Sequence, residues 1–87
     1  MPKIEVYSTA VCPYCVAAKN LLKSKGLEWE DIRIDTDAAQ RTTMLQRSGG
    51  SRTVPQIFIN DHHVGGFDEL AAADRSGKLA SLLGEGA

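Results

Sequence analysis

The stretch Ile4-Glu5-Val6-Tyr7-Ser8-Thr9-Ala10-Val11-Cys12-Pro13-Tyr14-Cys15 decides how the rest of the chain is read. Its first four residues alternate apolar and polar and favour extended structure, and Ser8 to Val11 break that pattern, which predicts a strand followed by a loop. From Pro13 to Lys25 the period becomes helical, with Ala17, Ala18, Leu21 and Leu22 on neighbouring turns and Lys19, Lys23 and Lys25 on the other faces. Proline fits the first helical position, where its missing N–H would have had no partner. Gly26 stands where a left-handed cap belongs, and the late lysines complement the helix dipole. Cys12 is therefore expected just outside a helix N-terminus, with Cys15 one turn inside.

That position has a chemical consequence. Unpaired backbone N–H groups and the positive end of the dipole stabilise a thiolate over a thiol. Free cysteine ionises near 8.5 and such sites reach roughly 3.5 to 7.5, so Cys12 is expected to be mostly thiolate at neutral pH. Cys15, less exposed yet within reach of a disulfide formed at Cys12, suits a resolving thiol. The plainer readings match less well. A Cys12–Cys15 bridge closes so small a loop that it adds little chain-entropy stabilisation. Zinc needs four ligands, and the other candidates, His62 and His63, are adjacent rather than at the usual spacing. Two buried, inert cysteines are the remaining alternative. A Cys-x-x-Cys that follows a strand and opens a helix in a βαβ chain is the context in which a redox pair is expected.

Working outward, 87 residues provide for one domain, residues 1–87, and 43% apolar with 24% charged residues is the composition of a water-soluble globular fold. Ten Lys and Arg against eleven Asp and Glu leave a formal charge of −1, so no overall field draws in nucleic acid or an anionic membrane. The N-terminal residues lack the apolar core of a signal peptide, and no run approaches the ~20 apolar residues of a membrane span. A cytoplasmic, reducing location is the expectation.

Further along, Leu27 to Ile34 is predicted as a second strand, and a second helix is expected to start within Asp35-Thr36-Asp37 and reach Ser48, with Asp37 and Gln40 resembling a capping box. Gly49-Gly50-Ser51 ends it. Val54 to Ile59 reads as a third strand whose Pro55 removes one ladder donor, Asn60-Asp61 as a tight turn, and His62 to Val64 as a short fourth strand. Phe67 to Ser76 is a helix with Asp68 as candidate N-cap and Gly77 as stop, and residues 78–87 a short frayed helix through Leu79, Leu82 and Leu83. His62 and His63 read as decoration of the hairpin. One parallel crossover and one hairpin imply a small mixed sheet with helices on both faces.

Three segments carry a resemblance: Cys12-Pro13-Tyr14-Cys15, Thr53-Val54-Pro55-Gln56-Ile57-Phe58-Ile59 and Gly65-Gly66-Phe67-Asp68-Glu69-Leu70. In this order and separation they resemble the signature segments of dithiol glutaredoxins, nearest the short bacterial glutaredoxin 3 type, and the likeness covers almost the whole chain. It implies a thioredoxin-like α/β fold with a four-stranded mixed sheet in the order 2-1-3-4. It also implies glutathione as cosubstrate, with no bound cofactor and no metal. Cys12 would be the nucleophile on protein–glutathione mixed disulfides and protein disulfides, and Cys15 the resolving thiol. A monomer is expected.

Similarity to the family places Val54, before a cis Pro55, as the residue whose backbone pairs with the cysteinyl part of glutathione, flanked by Thr53. Gly66 and Phe67 lead into a helix whose first N–H groups suit the γ-glutamyl carboxylate. Asp68 is both a candidate cap and a candidate partner for the ligand amine. Tyr14 is read as packing on glutathione or covering the helix start, and Arg41 as pairing with the glycyl carboxylate or as a solvated surface arginine. Many relatives carry lysine three residues before the first cysteine, where Thr9 stands here, so a somewhat higher Cys12 pKa and weaker glutathione binding are expected. Two rivals remain: a [2Fe-2S] scaffold shared by two subunits through Cys12 and glutathione, and a thioredoxin-like electron donor served by a reductase.

Overall fold

In the computed structural model, which describes residues 3–84, the predicted strand–loop–helix is present: β1 spans Ile4–Ser8 and α1 spans Pro13–Ser24, with Pro13 opening the helix. The helix ends as its glycine forecast. Gly26, at φ 72°, donates its N–H to Lys23 O at 3.0 Å, and Leu27 N donates to Leu22 O at 3.1 Å, the paired bonds of a Schellman stop. There follow β2 (Glu30–Arg33), α2 (Ala38–Arg47), β3 (Gln56–Ile59), β4 (His62–Gly65), α3 (Phe67–Ser76) and α4 (Lys78–Leu82). The sheet runs β2-β1-β3-β4, with β1 parallel to β2 and antiparallel to β3, and β3 antiparallel to β4. The architecture is the thioredoxin-like arrangement that the three segments imply.

Several bounds differ from the sequence reading, each for a physical reason. β2 begins at Glu30 rather than Leu27, because among the described residues it pairs only with β1 and their register starts at Glu5↔Glu30; Leu27 and Trp29 instead pack against the core before the strand. Val54 and Pro55 fall outside β3, which starts at Gln56 opposite Tyr7. Asp37 caps α2, accepting from Ala39 N and Gln40 N at 3.0 and 3.4 Å, but the expected capping box is only half made, since the described residues show no return bond from the Gln40 side chain; Asp35 is drawn to the loop before Cys12. Asn60 and Asp61, at φ 50° and 68°, form the turn between β3 and β4. Of the forecast C-terminal helix, Leu79 is buried and Leu82 and Leu83 pack on the core, while residues 85–87 lie outside those described.

Because helices cover both faces of the sheet, there are two cores. Ile4, Val6, Ile57 and Ile59 meet Ala18 and Leu22 of α1, Leu70 and Ala73 of α3, and Leu79 of α4. On the other face Tyr7, Ile32, Ile34 and Phe58 meet Met44 of α2. The period-2 alternation of strands sends Glu5 to this second face as well, where only 8% of it is exposed. Arg47, at the end of α2, binds both Glu5 carboxylate oxygens at 3.0 and 3.1 Å, donates to the Tyr7 hydroxyl at 2.9 Å, and sits 4.0 Å from the Phe58 ring centroid. Hydrogen bonding to Glu5 keeps the guanidinium charged well beyond its ordinary range. This pair fastens α2 to the sheet.

Candidate functional site

Cys12 occupies the N-cap of α1 in an extended conformation (φ −153°, ψ 99°), and its Sγ accepts a hydrogen bond from Cys15 N at 3.1 Å. Sulfur here does the work that serine or aspartate does at other caps, and a backbone donor is aimed at it. The two cysteines are joined as a disulfide across a Cα–Cα distance of 5.1 Å. Cys15 is 1% exposed and belongs to the interior, whereas Cys12 is partly open to solvent. This asymmetry matches the roles that their spacing suggests.

The loop that delivers Cys12 is tethered from β2. Asp35 accepts the Ala10 N–H at 3.1 Å while Arg33 grips both of its oxygens at 2.8 and 2.6 Å. The Arg33 hydrogen bonds, and then that from Ala10, hold the Asp35 carboxyl down at about 2. The tether is thus ionised across the working pH range and is lost only as pH falls through that value. Beside it, Ser8 and Lys19 both reach Asp31, at 2.6 and 3.0 Å; burial raises that carboxyl, but these hydrogen bonds and the Lys19 charge outweigh it and leave it below its ordinary value.

A groove of about 190 Å³ lies between the start of α1, the loop before β3 and the start of α3. Tyr14, Thr53, Val54, Pro55, Gly66, Phe67 and Asp68 line it, so most of the residues singled out from sequence come together on one surface. Cys12 reaches its edge, with Sγ 3.7 Å from Val54 O. The Val54–Pro55 peptide bond is cis. Tyr14, 63% exposed, has its ring 6.4 Å from that of Phe67, bridging two helix starts across the groove. Arg41 does not line it: the residue is exposed on the first turn of α2, and its N–H bonds to Asp37 O.

Two expectations are corrected. Asp68 is not the N-cap of α3; Gly66 holds that position, and Asp68 lies within the first turn, where its charge still favours the helix end. Glu69 Oε1 accepts the Gly66 N–H at 2.9 Å, supplying the acidic half of a capping box that sequence reading missed. An acid three residues after Gly66 was the available signal. The same contact requires glycine at 65, since φ there is 118° and a Cβ would stand 2.8 Å from Glu69 Oε1. Nor does His63 merely decorate the hairpin: its ring stacks on Phe58 at 4.9 Å and its Nε2 lies 2.6 Å from Gln56 Oε1.

Comparison with known proteins gives one consistent answer. Residues 4–64 match the family model described as Glutaredoxin. Glutaredoxin 3 of Escherichia coli K12 is 49% identical over 83 residues, covering 95% of this chain and 99% of that protein. Among solved structures, the solution structure of glutaredoxin from Brucella melitensis shares 46% identity at a TM-score of 0.79, covering 93% of this chain and 87% of that one. A crystal structure of a buckwheat glutaredoxin–glutathione complex superposes at a TM-score of 0.84 with 34% identity, covering 94% and 76%.

Proposed function

Because the chain belongs to the glutaredoxin family and is a thiol–disulfide oxidoreductase, we propose that it draws its electrons from glutathione and reduces glutathionylated and disulfide-containing proteins in the cytoplasm, as a monomer. The observation that carries the reading is the groove between Tyr14, the Thr53–Pro55 loop and the start of α3, opening beside Cys12. Glutathione is a short extended peptide with two carboxylates and one amine. In this reading Val54 offers its backbone to the cysteinyl part, the N-terminus of α3 at Gly66 and Phe67 takes the γ-glutamyl carboxylate, and Asp68 faces the amine. Arg41, exposed on the first turn of α2 and outside the groove, is assigned the glycyl carboxylate where the ligand extends beyond the groove's edge.

The chemistry then follows in balanced steps. The Cys12 thiolate attacks the glutathionyl sulfur of a mixed disulfide; the client leaves as a thiolate and takes up a proton. A second glutathione thiolate attacks the same glutathionyl sulfur, which releases oxidised glutathione and regenerates Cys12. With a protein disulfide, Cys12 forms the mixed disulfide and Cys15 attacks Cys12 Sγ, which frees the client and leaves the bridge that two glutathiones reduce. No step calls on a bound metal or cofactor.

Replacing Cys15 by serine should leave turnover of a glutathionylated peptide within about threefold of the parent, since only the second route uses that sulfur. Reduction of a protein disulfide should fall by at least about tenfold. Equal losses on both substrates would contradict the division of labour. The source of electrons is tested by coupling the parent protein to glutathione with glutathione reductase, and separately to thioredoxin reductase. Turnover confined to the latter would overturn the glutathione reading.

Thr9 provides a second test. A lysine there adds a cation three residues before Cys12, and an opposite charge nearby favours the ionised sulfur. Thr9→Lys should lower the pKa of Cys12, followed by alkylation rate against pH, by roughly half a unit to one unit, and should lower the KM for glutathione. If neither parameter moves, the dipole and backbone donors already set the thiolate's stability.

A further inference from the structure

Gln56 is polar yet 3% exposed, and it lies on β3 directly behind the groove without lining it. Its amide nitrogen donates to Thr53 O at 2.9 Å and to Thr53 Oγ1 at 3.2 Å. A carbonyl oxygen only accepts, so this end of the amide must be NH2, and Oε1 must be the atom facing His63. The short 2.6 Å contact from His63 Nε2 to that oxygen therefore requires the proton of neutral His63 to be on Nε2. Burial, and then the charge of neighbouring His62, push His63 below its ordinary pKa, consistent with a neutral ring. The ring itself is held by stacking on Phe58. A directed chain results, from β4 through His63 and Gln56 to Thr53.

Its far end is the groove. Thr53 is exposed on the loop between α2 and β3, and the next two residues, Val54 and Pro55, form the wall beside Cys12. Among the described residues, Gln56 supplies both hydrogen bonds that Thr53 receives. A loop residue with no ladder partner depends on such side-chain bonds for a single orientation, and turning the Thr53 peptide would turn the N–H of Val54 with it.

We propose that Gln56 is a positioning residue that holds the Thr53–Val54 main chain in its ligand-pairing orientation, with His63 locking the Gln56 amide the right way round. The proposal rests on the glutathione reading above, and it assigns to this pair the binding of glutathione rather than the reactivity of Cys12.

Three variants test it: Gln56→Met, which keeps the length without the amide; His63→Phe, which keeps the stacked ring without the donor; and the double replacement. Gln56→Met should raise the KM for glutathione roughly five- to tenfold, the effect of losing the two hydrogen bonds that orient Thr53, with kcat within about twofold. His63→Phe should raise KM about two- to threefold, because the amide can still bind Thr53 but is free to flip. The double variant should do no more than Gln56→Met alone, since both act through one chain. The rate and pH profile of Cys12 alkylation by iodoacetamide should be unchanged in all three. An unchanged KM, an additive double variant, or a KM rise accompanied by an equal shift in the alkylation profile would each overturn the assignment. Failure of the parent reading is distinguishable, because the unsubstituted protein would then show no glutathione-dependent turnover at all.

Discussion

Cys12→Ser should fold as the parent does and lose at least about a thousandfold in kcat/KM on a glutathionylated peptide. Both halves of that result follow from the N-cap position. Serine is among the best N-cap residues, and its hydroxyl can accept the Cys15 N–H that Sγ now accepts at 3.1 Å, so the helix start should be preserved and the melting temperature of the reduced protein little altered. Chemistry is different. A hydroxyl at this site is not ionised at neutral pH and forms no disulfide, so neither the attack on the mixed disulfide nor the covalent glutathionyl intermediate is available. Cys15 cannot replace it, because that residue is 1% exposed and so closed to an incoming disulfide. The measurement is steady-state turnover of Cys12→Ser beside Cys15→Ser, with mass spectrometry for the trapped glutathionyl adduct. Residual activity in Cys12→Ser comparable to that of Cys15→Ser would mean that the nucleophile has been assigned to the wrong sulfur.

The largest effect on stability is expected far from the cysteines, at Arg47. Its guanidinium binds both oxygens of Glu5, and the two side chains are 24% and 10% exposed. Arg47→Met keeps much of the alkyl packing over Phe58 but leaves the desolvated Glu5 carboxylate without its hydrogen-bonded partner, with the exposed Lys3 ammonium 4.0 Å away as a weak substitute, so a cost near the lower end of the usual range of about 3–5 kcal/mol is expected. Asp61, also within 3.4 Å of Arg47, is exposed and rehydrates readily, so it adds little. Taking about 3 kcal/mol, the melting temperature should drop by roughly 12 °C or more for a chain of this size. Urea unfolding of the single variants and of Glu5→Gln/Arg47→Met together completes the test. The double replacement should recover most of the loss, because what destabilises is the orphaned charge and not the absence of an ion pair. A loss below about 1 kcal/mol in Arg47→Met would show that water reaches Glu5 freely.

How far the sequence could be read depended on whether a signal was local. The Cys-x-x-Cys at a helix start, Pro13 at its first position, Gly26 as its stop and Asp37 as the cap of α2 are each decided within a few residues, by backbone hydrogen bonding and φ preference, and each was legible. The cap of α3 was also local but misread, because aspartate is a favoured N-cap residue and Asp68 therefore drew the assignment away from the Gly66–Glu69 pair. The groove residues in the other two signature segments were found by resemblance, not by period or spacing, and their convergence on one surface came only with the fold.

Left to itself, the sequence determined the order of elements and the electrostatic setting of Cys12, because a helix terminus polarises whatever residue stands at its cap. Only the tertiary structure decided what the polar residues of the strands do. Glu5 and Gln56 carry no local sign of a partner, yet both are buried beneath the helices that cover the sheet, and burial obliges each to find one: Arg47 for the one, Thr53 and His63 for the other. Pairing across such separations in the chain depends on which helix packs on which face of the sheet, and no local pattern encodes that.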